Sequence, residues 1–115
     1  MKKVAVIGAG SWGTALAVTL STKGHRVKIC DVNKEHVFNM KEHRENIKYL
    51  PGIKFNENLT VADSNRETIK DSDIVLFSAP AQHFRSAFES AKDYITEDMV
   101  VVNVAKGIEQ RTLLR

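Results

Sequence analysis

The sequence is short of most features that mark secreted, membrane or nucleic-acid-binding proteins. It has a single cysteine, Cys30, so no internal disulfide can form. No CxxC or Cys/His spacing suggests zinc. Cys30 closes the apolar run Val27-Lys28-Ile29-Cys30 and reads as a small buried hydrophobe, suited to a reducing compartment, rather than as a nucleophile. No apolar run reaches the ~18 residues that a membrane span needs. Lys2 and Lys3 are followed by an apolar stretch, Val4–Ile7, that stops at Gly8, too soon for a signal-peptide core. A cytoplasmic location is therefore expected. Charge of one sign is scarce as well: 17 Lys and Arg stand against 14 Asp and Glu, a net of +3. No basic stripe with interleaved aromatics accompanies it, so nucleic acid is not an expected partner. There is no internal repeat, low-complexity tract or linker.

What is there is an alternation. The 115 residues, 43% hydrophobic and 27% charged, suit one soluble domain. Lys2–Ile7 predicts a fully buried strand, β-branched and closed by glycine. Trp12–Lys23 predicts a helix with Ala15, Leu16, Thr19 and Leu20 on one face, stopped by Gly24. Arg26–Asp31 is a second strand, and Asn33 can cap a helix running to about His43. Asn46–Phe55 reads as irregular, with the turn dipeptide Pro51-Gly52. Leu59–Ala62 is a weaker third strand and Asn65–Lys70 a short helix. Ile74–Phe77 is a fourth strand. Ala81–Ala91 is a helix with Phe84, Ala87, Phe88 and Ala91 on one face, and Met99–Val104 is a fifth strand. Strands separated by helices imply an α/β fold with a parallel sheet. Near-continuous apolar strands imply cover on both faces. The expectation is a Rossmann-like doubly wound sheet of order 3-2-1-4-5, with ligand at the carboxyl ends where strands 1 and 4 part.

The run that carries chemistry is Gly8-Ala9-Gly10-Ser11-Trp12-Gly13, a G-x-G-x-x-G between a strand and a helix. The pattern alone is weak, because glycines cluster in many turns; its position raises it. Gly8 would permit the tight turn. Gly10 would let backbone approach a pyrophosphate with no Cβ in the way. Gly13 would let helix and strand lie close. The N–H groups opening the helix, with its dipole, would then face the phosphates. Asp31 follows Gly13 by 18 residues at the end of the second strand, where an acceptor for the adenosine ribose hydroxyls belongs. An aspartate there accepts from both hydroxyls and repels a 2′-phosphate, which favours NAD over NADP. The alternative is that Asp31 opens the Asp31–Asn33 turn. Val32 and Asn33 bring no positive charge, whereas Lys34 could reach round.

Other candidates are more open. Ser78-Ala79-Pro80-Ala81-Gln82 after strand 4 either lets a nicotinamide ribose pass close to the backbone or is a plain turn. Lys106, on a glycine turn after strand 5, is either a solvated charge or a group for a phosphate or carbonyl oxygen. His25, His36, His43 and His83 lack ligand spacing, and His36 and His43 read as surface residues of a charged helix. Lys41-Glu42-His43-Arg44-Glu45 reads as a solvated helix end.

Taken together, these residues resemble a family. Val4–Ala17 is similar to the opening of bacterial NAD(P)-dependent glycerol-3-phosphate dehydrogenase. Arg44-Glu45-Asn46 with Tyr49-Leu50-Pro51-Gly52, Ala79–Arg85, and Val104-Ala105-Lys106-Gly107-Ile108-Glu109 resemble three further blocks in the same order. The resemblance implies reversible reduction of dihydroxyacetone phosphate to sn-glycerol 3-phosphate. It also implies that Ser11 and Trp12 lie against the cofactor, that Tyr49 reaches the same cleft, and that Lys106 touches both cofactor and substrate; Pro80, from the turn after strand 4, is counted with the cofactor-binding residues. The implied partner is a small phosphorylated molecule, and a homodimer is compatible with it. Many relatives carry His or Arg where Val32 stands, which sharpens the NAD reading here. The family's second, helical domain, which supplies the acid/base lysine, is absent from the 115 residues. Leu113-Leu114-Arg115 looks like the opening of another element, so the expectation is a piece of a longer enzyme that binds cofactor and turns over little. The rival readings are another dehydrogenase of the same architecture, or a stand-alone NAD-binding module without catalysis.

Overall fold

The structure is a computed structural model. It describes residues 1–78 and 81–104, with the side chains of Ala81 and Gln82 left aside. Four helices and seven strands follow in order: β1 (Lys3–Ile7), α1 (Ser11–Thr22), β2 (Arg26–Cys30), α2 (Lys34–His43), β3 (Glu45–Asn46), β4 (Leu50–Lys54), β5 (Leu59–Val61), α3 (Asn65–Ile69), β6 (Ile74–Phe77), α4 (Ala81–Ala91) and, after a 3-10 turn at Lys92–Tyr94, β7 (Val100–Asn103). Five strands form one sheet in the order β5-β2-β1-β6-β7, and every adjacent pair is parallel. That is the 3-2-1-4-5 order expected of a doubly wound sheet. The order reverses between β1 and β6, the place where such sheets open a crevice.

Alternation along the strands builds two cores. Val4, Val6, Val27 and Ile29 point to the face covered by α1 and α2, where Ala17, Val37 and Met40 meet them. Ala5, Ile7, Val75 and Phe77 point the other way, toward Ile69 of α3 and Ala91 of α4. On α4 the expected apolar face is the observed one: Phe84, Ala87 and Phe88 pack against that second core, and the rings of Phe84 and Phe88 lie 5.6 and 5.9 Å from Phe77.

Two expectations change. The buried residues of α1 are Gly13, Thr14, Ala17 and Ser21; of the expected face, Leu20 packs partly buried against the first core, while Ala15 and Leu16 are half-buried and Thr19 is exposed. The helix lies close on the sheet, and close approach selects small side chains over large apolar ones. The segment expected to be irregular contains an antiparallel hairpin, β3 against β4. Glu45 closes it by accepting the Gly52 N–H at 2.8 Å and by pairing with Lys54 at 3.6 Å. Arg44, which leads into it, is left-handed at φ 53 and donates to the Asn56 carbonyl at 2.7 Å. The end of the charge run therefore shapes the chain, while Lys41, Glu42 and His43 are exposed as expected.

Candidate dinucleotide site

Strand register brings the site's parts to one edge. Ile7 pairs with Cys30 on one side and with Phe77 on the other. The residues that follow, Gly8, Asp31 and Ser78, therefore emerge side by side. Gly8 N–H donates to the Cys30 carbonyl at 2.9 Å, and Ser78 N–H to the Ile7 carbonyl at 3.0 Å.

The three glycines of the motif answer to three different physical demands. Gly8 has φ +109, a conformation that a side chain rarely tolerates. A Cβ on Gly13 would drive into the Gly8 carbonyl oxygen and Ser78 Oγ, and would lie 3.0 Å from Ser78 Cβ; here glycine is required by packing. Gly10 is different. Its φ of −81 suits any residue, and a Cβ would meet nothing within 4 Å. Neither strain nor contact with the described residues explains a glycine there, while a ligand pressed against the backbone would. Gly10 also caps α1 without a side-chain bond, and no acidic residue stands in the first turn. The positive end of the helix thus meets the edge with no carboxylate of its own first turn to neutralise it. Ser11 and Trp12 are exposed beside it, Trp12 to 45%.

Side chains from four separate parts of the chain hold the turn. Asp31 Oδ1 accepts the Ala9 N–H at 2.8 Å. The Ala9 carbonyl accepts from His36 Nε2 and from Asn46 Nδ2, both at 2.9 Å. A carbonyl only accepts, so the proton of the first bond sits on Nε2. Ser78 Oγ donates to the Gly8 carbonyl at 2.7 Å. His36 is buried, which corrects its expected place on the surface: the Ala9 carbonyl, 27 residues away in sequence, draws the imidazole inward. Asn46 is wholly buried and was visible beforehand only as part of a matching block with no assigned task.

Of the two readings of Asp31, the structure shows the turn. Its Oδ2 accepts the Asn33 N–H at 3.1 Å, so it does open the turn into α2. That bond and the one to Ala9 fix the carboxylate at the end of β2, and each oxygen keeps a further lone pair for a hydroxyl. Val32, next to it, is 82% exposed. Lys34 does not reach round; its ammonium donates to the Asp63 carbonyl at 2.7 Å. Tyr49 is 42% exposed, its ring edge-on to His36 at 5.4 Å and its N–H donating to Asn46 Oδ1 at 3.1 Å. Pro80 and Lys106 lie outside the described residues.

Cys30 is buried as expected, and burial pushes its thiol up to about 11, which keeps it from acting as a nucleophile. A cleft of about 350 Å³ lies between α2 and the 45–48 segment. Its lining includes His36 but none of Gly8, Gly10, Gly13 or Asp31, so it is not the edge to which the glycine turn belongs. No group of three or more His, Cys, Asp or Glu among the described residues could hold a metal. No helix among them is long and apolar enough to cross a membrane.

A parallel sheet with this strand order, and a glycine turn that leads into an uncapped helix, define a Rossmann-type dinucleotide-binding domain. Comparison with known proteins narrows the class. The family model described as NAD-dependent glycerol-3-phosphate dehydrogenase N-terminus matches residues 3–115, and the chain belongs to that family. A curated glycerol-3-phosphate dehydrogenase (NAD(P)+) from Agathobacter rectalis is 40% identical over 114 residues, which is 99% of this chain and 34% of the relative. Solved glycerol-3-phosphate dehydrogenases from Coxiella burnetii and Saccharomyces cerevisiae superpose with TM-scores of 0.85 and 0.76 at 29% and 28% identity. Each alignment covers 89% of this chain, and 31% and 33% of those chains. The chain thus spans about a third of the length of the curated relatives it matches.

Proposed function

We propose that this chain is the cofactor-binding domain of an NAD(P)-dependent glycerol-3-phosphate dehydrogenase. In this reading the enzyme is cytoplasmic and interconverts sn-glycerol 3-phosphate and dihydroxyacetone phosphate in support of glycerophospholipid synthesis. The observation that carries the reading is Gly10, a glycine that none of the described residues requires, at the start of an uncapped helix. Gly8, Gly10, Ser11, Trp12 and Gly13 hold the pyrophosphate, and Asp31 holds the adenosine ribose. Tyr49, Pro80 and Lys106 complete the cofactor set, and Lys106 also meets the phosphorylated substrate. A homodimer is part of the same reading. When bound, the dinucleotide supplies a hydride to the ketone carbon. The task of these residues is to bind and orient; none of the described ones is assigned the proton transfer at the substrate oxygen, so the 115-residue chain binds cofactor and turns over negligibly.

Asp31 sets the preference. A 2′-phosphate beside its fixed carboxylate meets like charge, and at about 4 Å even a screened pair costs on the order of a few kcal/mol. Trp12 is the one tryptophan of the sequence, so its fluorescence reports directly on the glycine turn. Titration with NADH is expected to quench it with an affinity at least tenfold tighter than that for NADPH. Equal or stronger NADPH binding would defeat the Asp31 assignment, and binding of neither would defeat the reading. Turnover of dihydroxyacetone phosphate by the 115-residue chain at the rate of a complete dehydrogenase would show that the proton-transfer group is misplaced.

A further inference from the structure

The Ala9 carbonyl and the Gly10 N–H belong to one peptide plane. No cis peptide is present among the described residues, and in a planar trans peptide the two groups point in opposite directions. The carbonyl is held inward by two side-chain donors, Asn46 Nδ2 and His36 Nε2, each at 2.9 Å. The Gly10 N–H must therefore point outward, on the residue whose missing Cβ leaves space that no described residue fills. Asn46 is built for such a task. Its carboxamide is wholly buried and fully engaged: Nδ2 also donates to Thr14 Oγ1 at 2.7 Å, and Oδ1 accepts the Tyr49 N–H at 3.1 Å. One side chain thus ties the glycine turn, the first turns of α1 and the segment that carries Tyr49.

We propose that Asn46, seconded by His36, is a positioning residue for the dinucleotide: by fixing the Ala9 carbonyl it aims the Gly10 N–H at a pyrophosphate oxygen. This rests on the proposed function and adds to it a residue that acts through the backbone without touching the ligand. An unheld Ala9–Gly10 peptide can rotate, and the N–H that should meet the phosphate is then lost from the edge. The adenosine end, held at Asp31, does not depend on that rotation.

The test compares the wild-type chain with Asn46→Asp and His36→Phe. The first keeps the acceptor for Tyr49 but sets an oxygen against the Ala9 carbonyl. The second keeps a ring beside Tyr49 but lacks the Nε2 donor. NADH and adenosine affinities are measured by Trp12 fluorescence, the Gly10 amide shift by NMR, and folding by thermal unfolding. In the wild type, NADH should move the Gly10 amide resonance strongly. Asn46→Asp should weaken NADH at least tenfold and His36→Phe about threefold, both with a smaller Gly10 shift and adenosine affinity within twofold. If Asn46→Asp does not fold, His36→Phe and the wild-type resonance carry the test. Wild-type NADH binding that leaves the Gly10 amide unmoved overturns the inference. So do folded variants with wild-type NADH affinity, or variants that lose adenosine as much as NADH. No NADH binding by the wild type overturns the proposed function itself, and this inference with it.

Discussion

The two edges of the sheet use the same brace and differ in what they offer a ligand. At the carboxyl edge Asp31 accepts the Ala9 N–H at 2.8 Å; at the amino edge Asp73 accepts the Lys3 N–H at 2.9 Å. The amino edge is the more basic, with Lys3, Arg26, Lys28 and Lys70 around a shallow cleft of about 280 Å³. Counting lysines would send an anion there. Yet the Lys28 ammonium is already spent on the Glu67 and Lys70 carbonyls at 2.9 and 3.3 Å, at the C-terminal end of α3, where helix carbonyls are the negative pole. The carboxyl edge gathers a glycine turn and the uncapped start of α1. On the proposed reading, the dinucleotide's phosphates follow backbone N–H groups and helix direction rather than the density of basic side chains.

The largest expected effect on that contrast comes from Gly13→Ala. The new Cβ meets the Gly8 carbonyl oxygen and Ser78 Oγ, and overpacking of this kind costs about 1–3 kcal/mol. Chemical denaturation should record that loss, and NADH binding should vanish because the turn is pushed out of shape. Near-wild-type stability would mean that helix and strand are not as close as described. A smaller effect separates the two aspartates. Asp31→Asn weakens charge-assisted bonds to two backbone N–H groups, Ala9 and Asn33, and Asp73→Asn weakens one, to Lys3, at about 1 kcal/mol of stability per bond. Only Asp31→Asn should change the cofactor preference, bringing NADH and NADPH affinities within about threefold. Asp73→Asn should leave the ratio of the two untouched. A changed ratio in both variants, or in neither, would erase the distinction between the edges.

Much of this was legible in the chain. The sheet strands are short β-branched apolar runs, and their spacing by helices left one natural strand order, which is the order found. Asn33 was expected to cap α2, and its side chain accepts the His36 N–H at 3.1 Å. The α4 face was readable because phenylalanines mark it. The α1 face was not, because a helix pressed close to a sheet buries Gly13, Thr14, Ala17 and Ser21, residues with little hydrophobic signal. The β3–β4 hairpin was hidden by Pro51-Gly52 and by the lack of alternation around it. At the site, the glycines and Asp31 announce themselves by spacing. His36 and Asn46 do not, since their partner is a carbonyl 27 and 37 residues away, and no local pattern encodes a contact of that range.

The central claim is that Gly10 is a glycine for the sake of a bound dinucleotide, and Gly10→Ala tests it most directly. The backbone there accepts alanine at φ −81 and none of the described residues stands in the way of the methyl group. Stability should therefore stay within about 1 kcal/mol of wild type, the range of Gly-to-Ala changes at compatible sites. This folded variant should lose NADH affinity at least tenfold in the Trp12 titration. A folded Gly10→Ala chain that binds NADH as the wild type does would contradict the claim.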